Sequence, residues 1–312
     1  MNSVLDTVLP VFGVLALGYL ASRTGAFNMA ANRGLSLFVF VFALPFLLFN
    51  SISSAELPHD IPWGYLFAYF GGTFITMGLS MLLGRLIFKR RLEEQGILTF
   101  GAGFSNSSML GIPLILTSFG PRASLPLFIL LAVHSLILLP IITAIIEAGR
   151  GKSQRFHLVI VKLLRGLATN PIILGLVAGL SCNLLGITVP LSVQSITKSL
   201  GAAAVPCALF SLGASMTRYR ITGNLAEPSV LVICKTMIHP AIVWLLATKV
   251  FELPNLWSSV AVALAALPAG VTGYLFAQRY KLCMATTATT ILLTTCVSAL
   301  TLSGLIYFLA MP

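Results

Sequence analysis

The sequence predicts an all-α polytopic membrane protein, with ten transmembrane helices in two inverted five-helix repeats and breaks in the fourth and ninth helices. Three observations carry that prediction. The 312 residues are 57% hydrophobic and only 9% charged, with a mean hydropathy of +0.98, whereas soluble domains run to about a quarter charged. Charged residues cluster between apolar runs of roughly 18 to 26 residues, each long enough to cross the ~30 Å hydrocarbon core as a helix. Prolines recur at matching positions in the two halves. A β-barrel is excluded, because its spans are short and alternate apolar with polar.

Read in order, the apolar runs fall at 4–21, 34–52, 63–88, 96–118, 123–146, 170–187, 192–216, 229–250, 257–277 and 283–310. The first run has no basic region ahead of it, and its first arginine, Arg23, comes after it, so it is expected to be a retained span rather than a cleaved signal. Ten spans put both termini on one side of the membrane. With that side outside, the inner links carry fifteen Lys and Arg, among them Arg23, Arg33, Arg90, Arg150 and Arg220, against Arg122, Lys198 and Lys249 outside. That asymmetry is the positive-inside pattern and accounts for the net charge of +11 without nucleic acid as a partner. The link 149–169 is basic, and the spacing of its leucines against Lys162 and Arg165 predicts a short amphipathic helix on the inner surface. Five cysteines, Cys182, Cys207, Cys234, Cys283 and Cys296, sit singly in or beside apolar runs, with no metal-ligand spacing, so they read as packing residues. No metal and no cofactor is expected.

Pro10 and Pro45 are 35 residues apart, as are Pro171 and Pro206, and each pair lies in the first two spans of a half. Pro113 in span four and Pro268 in span nine continue the correspondence. The chain therefore divides into a first repeat over 1–148, the linker 149–169 and a second repeat over 170–312. An odd number of spans per repeat inverts the second copy. Inverted repeats with interrupted helices at matching positions point to a secondary transporter whose substrate site lies between broken helices near the bilayer midplane. Span four reads Ser105-Asn106-Ser107-Ser108-Met109-Leu110-Gly111-Ile112-Pro113, and span nine reads Pro268-Ala269-Gly270-Val271-Thr272-Gly273-Tyr274. Proline removes a backbone donor and glycine tolerates unwinding, so both helices should break near mid-membrane.

The substrate-binding candidates are thus Ser105, Asn106, Gly111, Ile112, Pro113, Pro268, Ala269, Gly270, Thr272 and Tyr274. Asn106 leads, because a buried amide needs partners and offers both donors and an acceptor to a carboxylate. Lys235 lies within span eight, with His239 one turn on and on the same face, and is a possible charge partner for an anion. The alternative is a lysine that snorkels to the inner surface or meets a backbone carbonyl. His134 in span five reads as a packing histidine. Asp6 and Glu147 are the acidic residues within spans, both near ends, so the midplane carboxylates expected of a sodium or proton antiporter are missing. Without H-E-x-x-H, G-x-x-x-x-G-K or paired intramembrane aspartates, an enzyme is not expected.

At these residues the chain resembles the auxin efflux carrier family, which includes plant auxin exporters and bacterial carriers linked to malate and malonate. The resemblance rests on Asn32-Arg33-x-Leu35-Ser36, Leu44-Pro45, Asn106-x4-Gly111-Ile112-Pro113, Asn170-Pro171, Pro206-x-Ala208-Leu209-x-Ser211-Leu212-Gly213, and Leu267-Pro268-Ala269-Gly270, in that order along nearly the whole chain. It implies that helices four and nine cross at the substrate site, with Asn106, Pro113 and Pro268 at the crossing. It also implies a scaffold of the first, second, sixth and seventh helices, against which a transport domain moves in an elevator-like way, in a homodimer. The plant exporters carry an asparagine beside the second crossover proline where this chain has Ala269, and they often carry a long hydrophilic central loop that this chain lacks. The first departure argues against an indole-type carboxylate and leaves the substrate open; the missing loop points to a bacterial inner-membrane member. The expected function is alternating-access transport of a small organic anion, a mono- or dicarboxylate, across the plasma membrane; the alternative is a sodium-coupled organic anion symporter of the bile-acid-symporter type.

Overall fold

In a computed structural model the protein is described over residues 2–55, 61–151, 161, 165–166 and 168–309. Twelve helices account for nearly all of it: α1 (Asn2–Arg23), α2 (Met29–Ser53), α3 (Gly64–Leu86), α4 (Leu92–Gly103), α5 (Ser107–Phe119), α6 (Ser124–Gly149), α7 (Pro171–Leu184), α8 (Leu191–Met216), α9 (Ala226–Val250), α10 (Asn255–Ala266), α11 (Thr272–Tyr280) and α12 (Met284–Leu309). Six of them, α2, α3, α6, α8, α9 and α12, are long and apolar enough to cross a membrane by length and composition. Among the described residues there is no strand, and the all-helical membrane class expected from composition holds. Most of the predicted amphipathic segment of the 149–169 linker, with Lys162, lies outside the described residues, as does the side chain of Asp6.

Prolines shape three of these helices without ending them. Five-residue π turns at Val39–Ala43, Ser107–Gly111 and Cys234–Ile238 come immediately before Pro45, Pro113 and Pro240, each of which sits in the first turn of the α-helical stretch that follows. Proline has no N–H and its ring crowds the carbonyl four residues back. In the widened turn the residue before each proline donates five residues back: Leu44 N–H to Val39 O, Ile112 N–H to Ser107 O and His239 N–H to Cys234 O.

The helices pack by close backbone approach, in two matching pairs. In α1 against α8, a Cβ on Gly18 would fall on the carbonyl of Phe210, and one on Gly213 would fall on the carbonyl of Leu15. In α7 against α2, a Cβ on Gly175 would lie 2.5 Å from Pro45 O, and one on Gly179 would lie 2.7 Å from Phe49 O. Small residues gain van der Waals contact here because lipid supplies no hydrophobic drive between helices. Short polar contacts join the two pairs, α2 to α8: Asn32 donates to Ser215 at 2.9 Å, and Ser36 and Ser211 share a hydrogen bond at 2.6 Å.

One end of the bundle is tied by charge. Arg90, in the link between α3 and α4, donates to Glu227 at the start of α9 at 2.8 Å and pairs with Glu94 at 3.2 Å. The hydrogen bond to Glu227 raises the Arg90 guanidinium above its usual pKa. Glu147, near the end of α6, is buried and accepts a hydrogen bond from Tyr280 of α11 at 2.8 Å.

Gly213→Val should cost about 1–3 kcal/mol or more through overpacking at the α1–α8 seam. It is expected to lower the melting midpoint of the detergent-purified protein clearly, whereas Gly13→Ala, with nothing within 4 Å of the new methyl, should leave it within a degree or two. Size-exclusion melting curves of the two variants side by side check this, and equal curves would remove the seam from the packing account.

Candidate functional site

Two interruptions face each other in the middle of the molecule, at 104–106 between α4 and α5 and at 267–271 between α10 and α11. The backbone turns extended at Phe104 (φ −93°, ψ 105°) and at Leu267 (φ −58°, ψ 151°). The extended pieces then pair with one another: Asn106 N–H donates to Pro268 O at 2.9 Å, and Gly270 N–H donates to Phe104 O at 2.8 Å. This is an antiparallel bridge between Ser105 and Ala269. Pro268 has no N–H to leave unsatisfied, and Ala269 N–H is taken up by Thr294 Oγ1 of α12 at 3.1 Å. Gly270 has to be small, because a Cβ there would come 2.8 Å from the Phe104 ring.

The second interruption falls at Pro268 and the first at Phe104, Ser105 and Asn106, while Pro113 is carried inside α5 by the π turn described above. Gly111, Ile112 and Pro113 are all buried in packing, and a Cβ on Gly111 would lie 2.8 Å from a Leu267 methyl.

Behind the crossing sits Lys235, fully buried in the π turn of α9. It does not snorkel. An ammonium carries three N–H donors, and Nζ has three acceptors: Ala265 O at 2.6 Å, Ser105 Oγ at 2.8 Å and His239 Nδ1 at 3.1 Å. With Nδ1 accepting, the His239 Nε2–H is left to donate to Thr73 Oγ1 at 3.0 Å, and the Thr73 hydroxyl donates to Tyr69 O at 2.8 Å. The Tyr69 hydroxyl reaches Ser105 Oγ at 3.4 Å. Among the described residues no carboxylate pairs with Lys235. Its counter-charge is the carbonyl end of α10, where the helix dipole favours a cation. Ser105 is thereby engaged inside the protein, tying α9 and α3 to the crossing.

Asn106 is different. It is 6% exposed, its main-chain N–H and C=O are used by the bridge and by α5, and its side chain makes no hydrogen bond among the described residues. Ser107 is also buried and Ser108 half-buried at the start of α5, while Thr272 and Tyr274, both half-buried, open α11. The Tyr274 ring meets Tyr219 edge-on at 5.1 Å. The first turns of α5 and α11 thus enter the crossing with their N–H ends toward it.

Three contributors were missed from sequence. Tyr69 and Thr73, one turn apart in α3, and Thr294 in the threonine-rich α12 all bond into the crossing; their signal was polar residues at helical spacing within apolar runs. His134 is not isolated either: its ring lies 4.6 Å from that of Phe104 and 5.9 Å from that of Tyr69, with Nε2 buried and without a partner among the described residues.

The chain matches a family model described as "Membrane transport protein" over residues 3–306. It belongs to that family, the auxin efflux carriers. The transporter is 27% identical over 309 residues to a Rhizobium meliloti (strain 1021) protein named "Putative malonate transporter", covering 99% of this chain and 97% of that one. It is also 26% identical over 223 residues to the "Lysosomal cholesterol signaling protein" of Mus musculus, a match that covers 67% of this chain and a quarter of that longer protein. The family and the first relative make the chain an integral membrane transporter and not an enzyme.

Replacing Lys235 with Met would leave the Ala265 carbonyl and its neighbours without their donor, at about 1–3 kcal/mol for each unsatisfied buried group. The transporter Lys235→Met is expected to melt several degrees lower and to exchange amide hydrogens faster at Asn106 and Gly270. Unchanged exchange at those two amides would show that Lys235 does not hold the crossing together.

Proposed function

We propose that this transporter is a secondary carrier for a small organic anion, a mono- or dicarboxylate, and that it works by elevator-type alternating access in the plasma membrane of a bacterium. The observation that carries the reading is Asn106, a buried amide whose side chain has no hydrogen-bond partner among the described residues, set at the start of α5 beside the interruption that precedes α11. Helix N-termini favour anions. Of the acceptors at the crossing, Ala265 O is taken by Lys235, Phe104 O by Gly270 N–H and Pro268 O by Asn106 N–H. What is left to offer a ligand is positive dipole and amide donors. The relative named for malonate agrees with this chemistry.

The ten-span reading follows if α4 with α5, and α10 with α11, each count as one interrupted crossing. The first helix of each half packs on the second helix of the other half, α1 on α8 and α7 on α2, as an inverted repeat requires. We assign α1, α2, α7 and α8 to a scaffold, the remaining helices to the moving part, the termini to the outside and the working form to a homodimer. A sodium-coupled symporter is the weaker reading, because the Lys235 ammonium occupies the Ala265 carbonyl that would otherwise be open to a cation.

Proteoliposomes on a solid-supported membrane, challenged with malonate, malate, succinate, lactate, pyruvate and indole-acetate, test the reading. A saturable current is expected for one carboxylate, undiminished when Na⁺ is replaced. In Asn106→Ala it should fall roughly tenfold to a hundredfold at limiting substrate, the range of one or two charge-assisted hydrogen bonds, with folded yield unchanged. Silence to the whole panel, both in current and in radiolabelled counterflow, would overturn the anion assignment; dependence on Na⁺ would revive the symporter.

A further inference from the structure

A cleft of about 950 Å³ opens between α1, α8 and α12, with Tyr219 on its wall packed against Tyr274 at the start of α11. One wall is a single face of α1, where Phe12, Leu15, Tyr19 and Arg23 follow one another at helical spacing. Polarity rises along that line, from phenyl and alkyl to phenol to guanidinium, over about 16 Å of helix at 1.5 Å per residue. The ends of α1 and α8 adjoin, with Ser22 and Thr217 sharing a hydrogen bond at 3.0 Å, and the chain leaving α8 brings Arg220 to the same cleft as Arg23. Opposite them α12 contributes Leu292, Cys296 and Ala299, with Thr295 the one hydroxyl on that wall. The cleft therefore has a long apolar body and two guanidiniums at one end.

Among the described residues those two charges have no anion of the protein's own. Among the described residues every ion pair uses Arg90 or Arg91. Arg23 and Arg220 are both exposed. A small water-soluble dicarboxylate would use the charged end and leave the apolar body unfilled. A molecule with one anionic head and a hydrocarbon chain matches both parts. Basic pockets between membrane helices on the cytoplasmic side are suited to anionic lipid headgroups. The excess of basic residues places Arg23 and Arg220 on that side.

We infer that the cleft binds an anionic phospholipid of the inner leaflet, its phosphate between Arg23 and Arg220 and an acyl chain along Phe12 and Leu15 against α12. Bound there, the lipid separates α12 from the α1–α8 pair. The inference does not depend on which substrate the carrier moves.

The test measures thermal stabilisation of the detergent-purified protein, and retained lipid by native mass spectrometry, with dioleoyl phosphatidylglycerol, dioleoyl phosphatidylcholine, glycerol 3-phosphate and malonate. Phosphatidylglycerol is expected to raise the melting midpoint in a saturable way and to remain bound, and phosphatidylcholine is not. Arg23→Gln with Arg220→Gln should weaken the apparent phosphatidylglycerol affinity roughly 30-fold, from the loss of two charges near the membrane surface. Ala299→Trp, which fills the apolar body and keeps both arginines, should also abolish the shift, and it stands in if the double variant does not fold. A shift of equal size from glycerol 3-phosphate or malonate, lost in the same variants, would make this a soluble-anion site and overturn the inference. So would phosphatidylglycerol binding that survives both variants.

Discussion

Backbone polar groups inside hydrocarbon have to be satisfied by the protein, and at the crossing this requirement is met in an unusual way. Two helices are interrupted, and each supplies what the other lacks: Asn106 N–H for Pro268 O, and Gly270 N–H for Phe104 O. Neither interruption could persist alone at that depth without leaving carbonyls and amides unpaired. The arrangement also fixes what surrounds it. Gly270 accommodates the Phe104 ring, Thr294 takes the Ala269 amide, and Lys235 takes the carbonyl end of α10.

Lys235 links the crossing to the helices behind it. Its hydrogen bonds to Ser105 and His239, and those of His239 and Thr73, run from the broken pair through α9 into α3. A buried ammonium without a carboxylate partner is costly unless dipoles and acceptors replace water. Here a helix C-terminus and three acceptors do so. One acceptor at the C-terminal end of α10, Ala265 O, is thus taken by Lys235, whereas the Asn106 side chain makes no hydrogen bond among the described residues.

Much of this was legible in the residues, and the failures have identifiable causes. Hydropathy and charge clustering gave the membrane class because a chain so poor in charge has no soluble alternative. Spacing placed Lys235 and His239 on one helix face, and they are bonded to each other. Asn106 stood out because an amide in an apolar run demands a partner. Which residues of the Phe104–Pro113 segment leave the helix was not legible, because a proline can be absorbed by a π turn and a sequence does not show the hydrogen-bond ring size. His134 read as an isolated packing residue because its neighbours Phe104 and Tyr69 come from distant helices.

The sequence by itself determined that this chain lives in a membrane, that its helices are interrupted in two places, and which few polar residues sit at depth. Those are properties of composition and local spacing, which the bilayer converts directly into helices. Only the tertiary structure decided that the two interruptions pair with each other, that Ser105 and Lys235 are spent on holding them while Asn106 is not, and that Arg23 and Arg220 share one cleft. Each of these joins residues a hundred or more positions apart, and hydrogen-bond partnership over such separations is set by how helices pack rather than by anything a local pattern encodes.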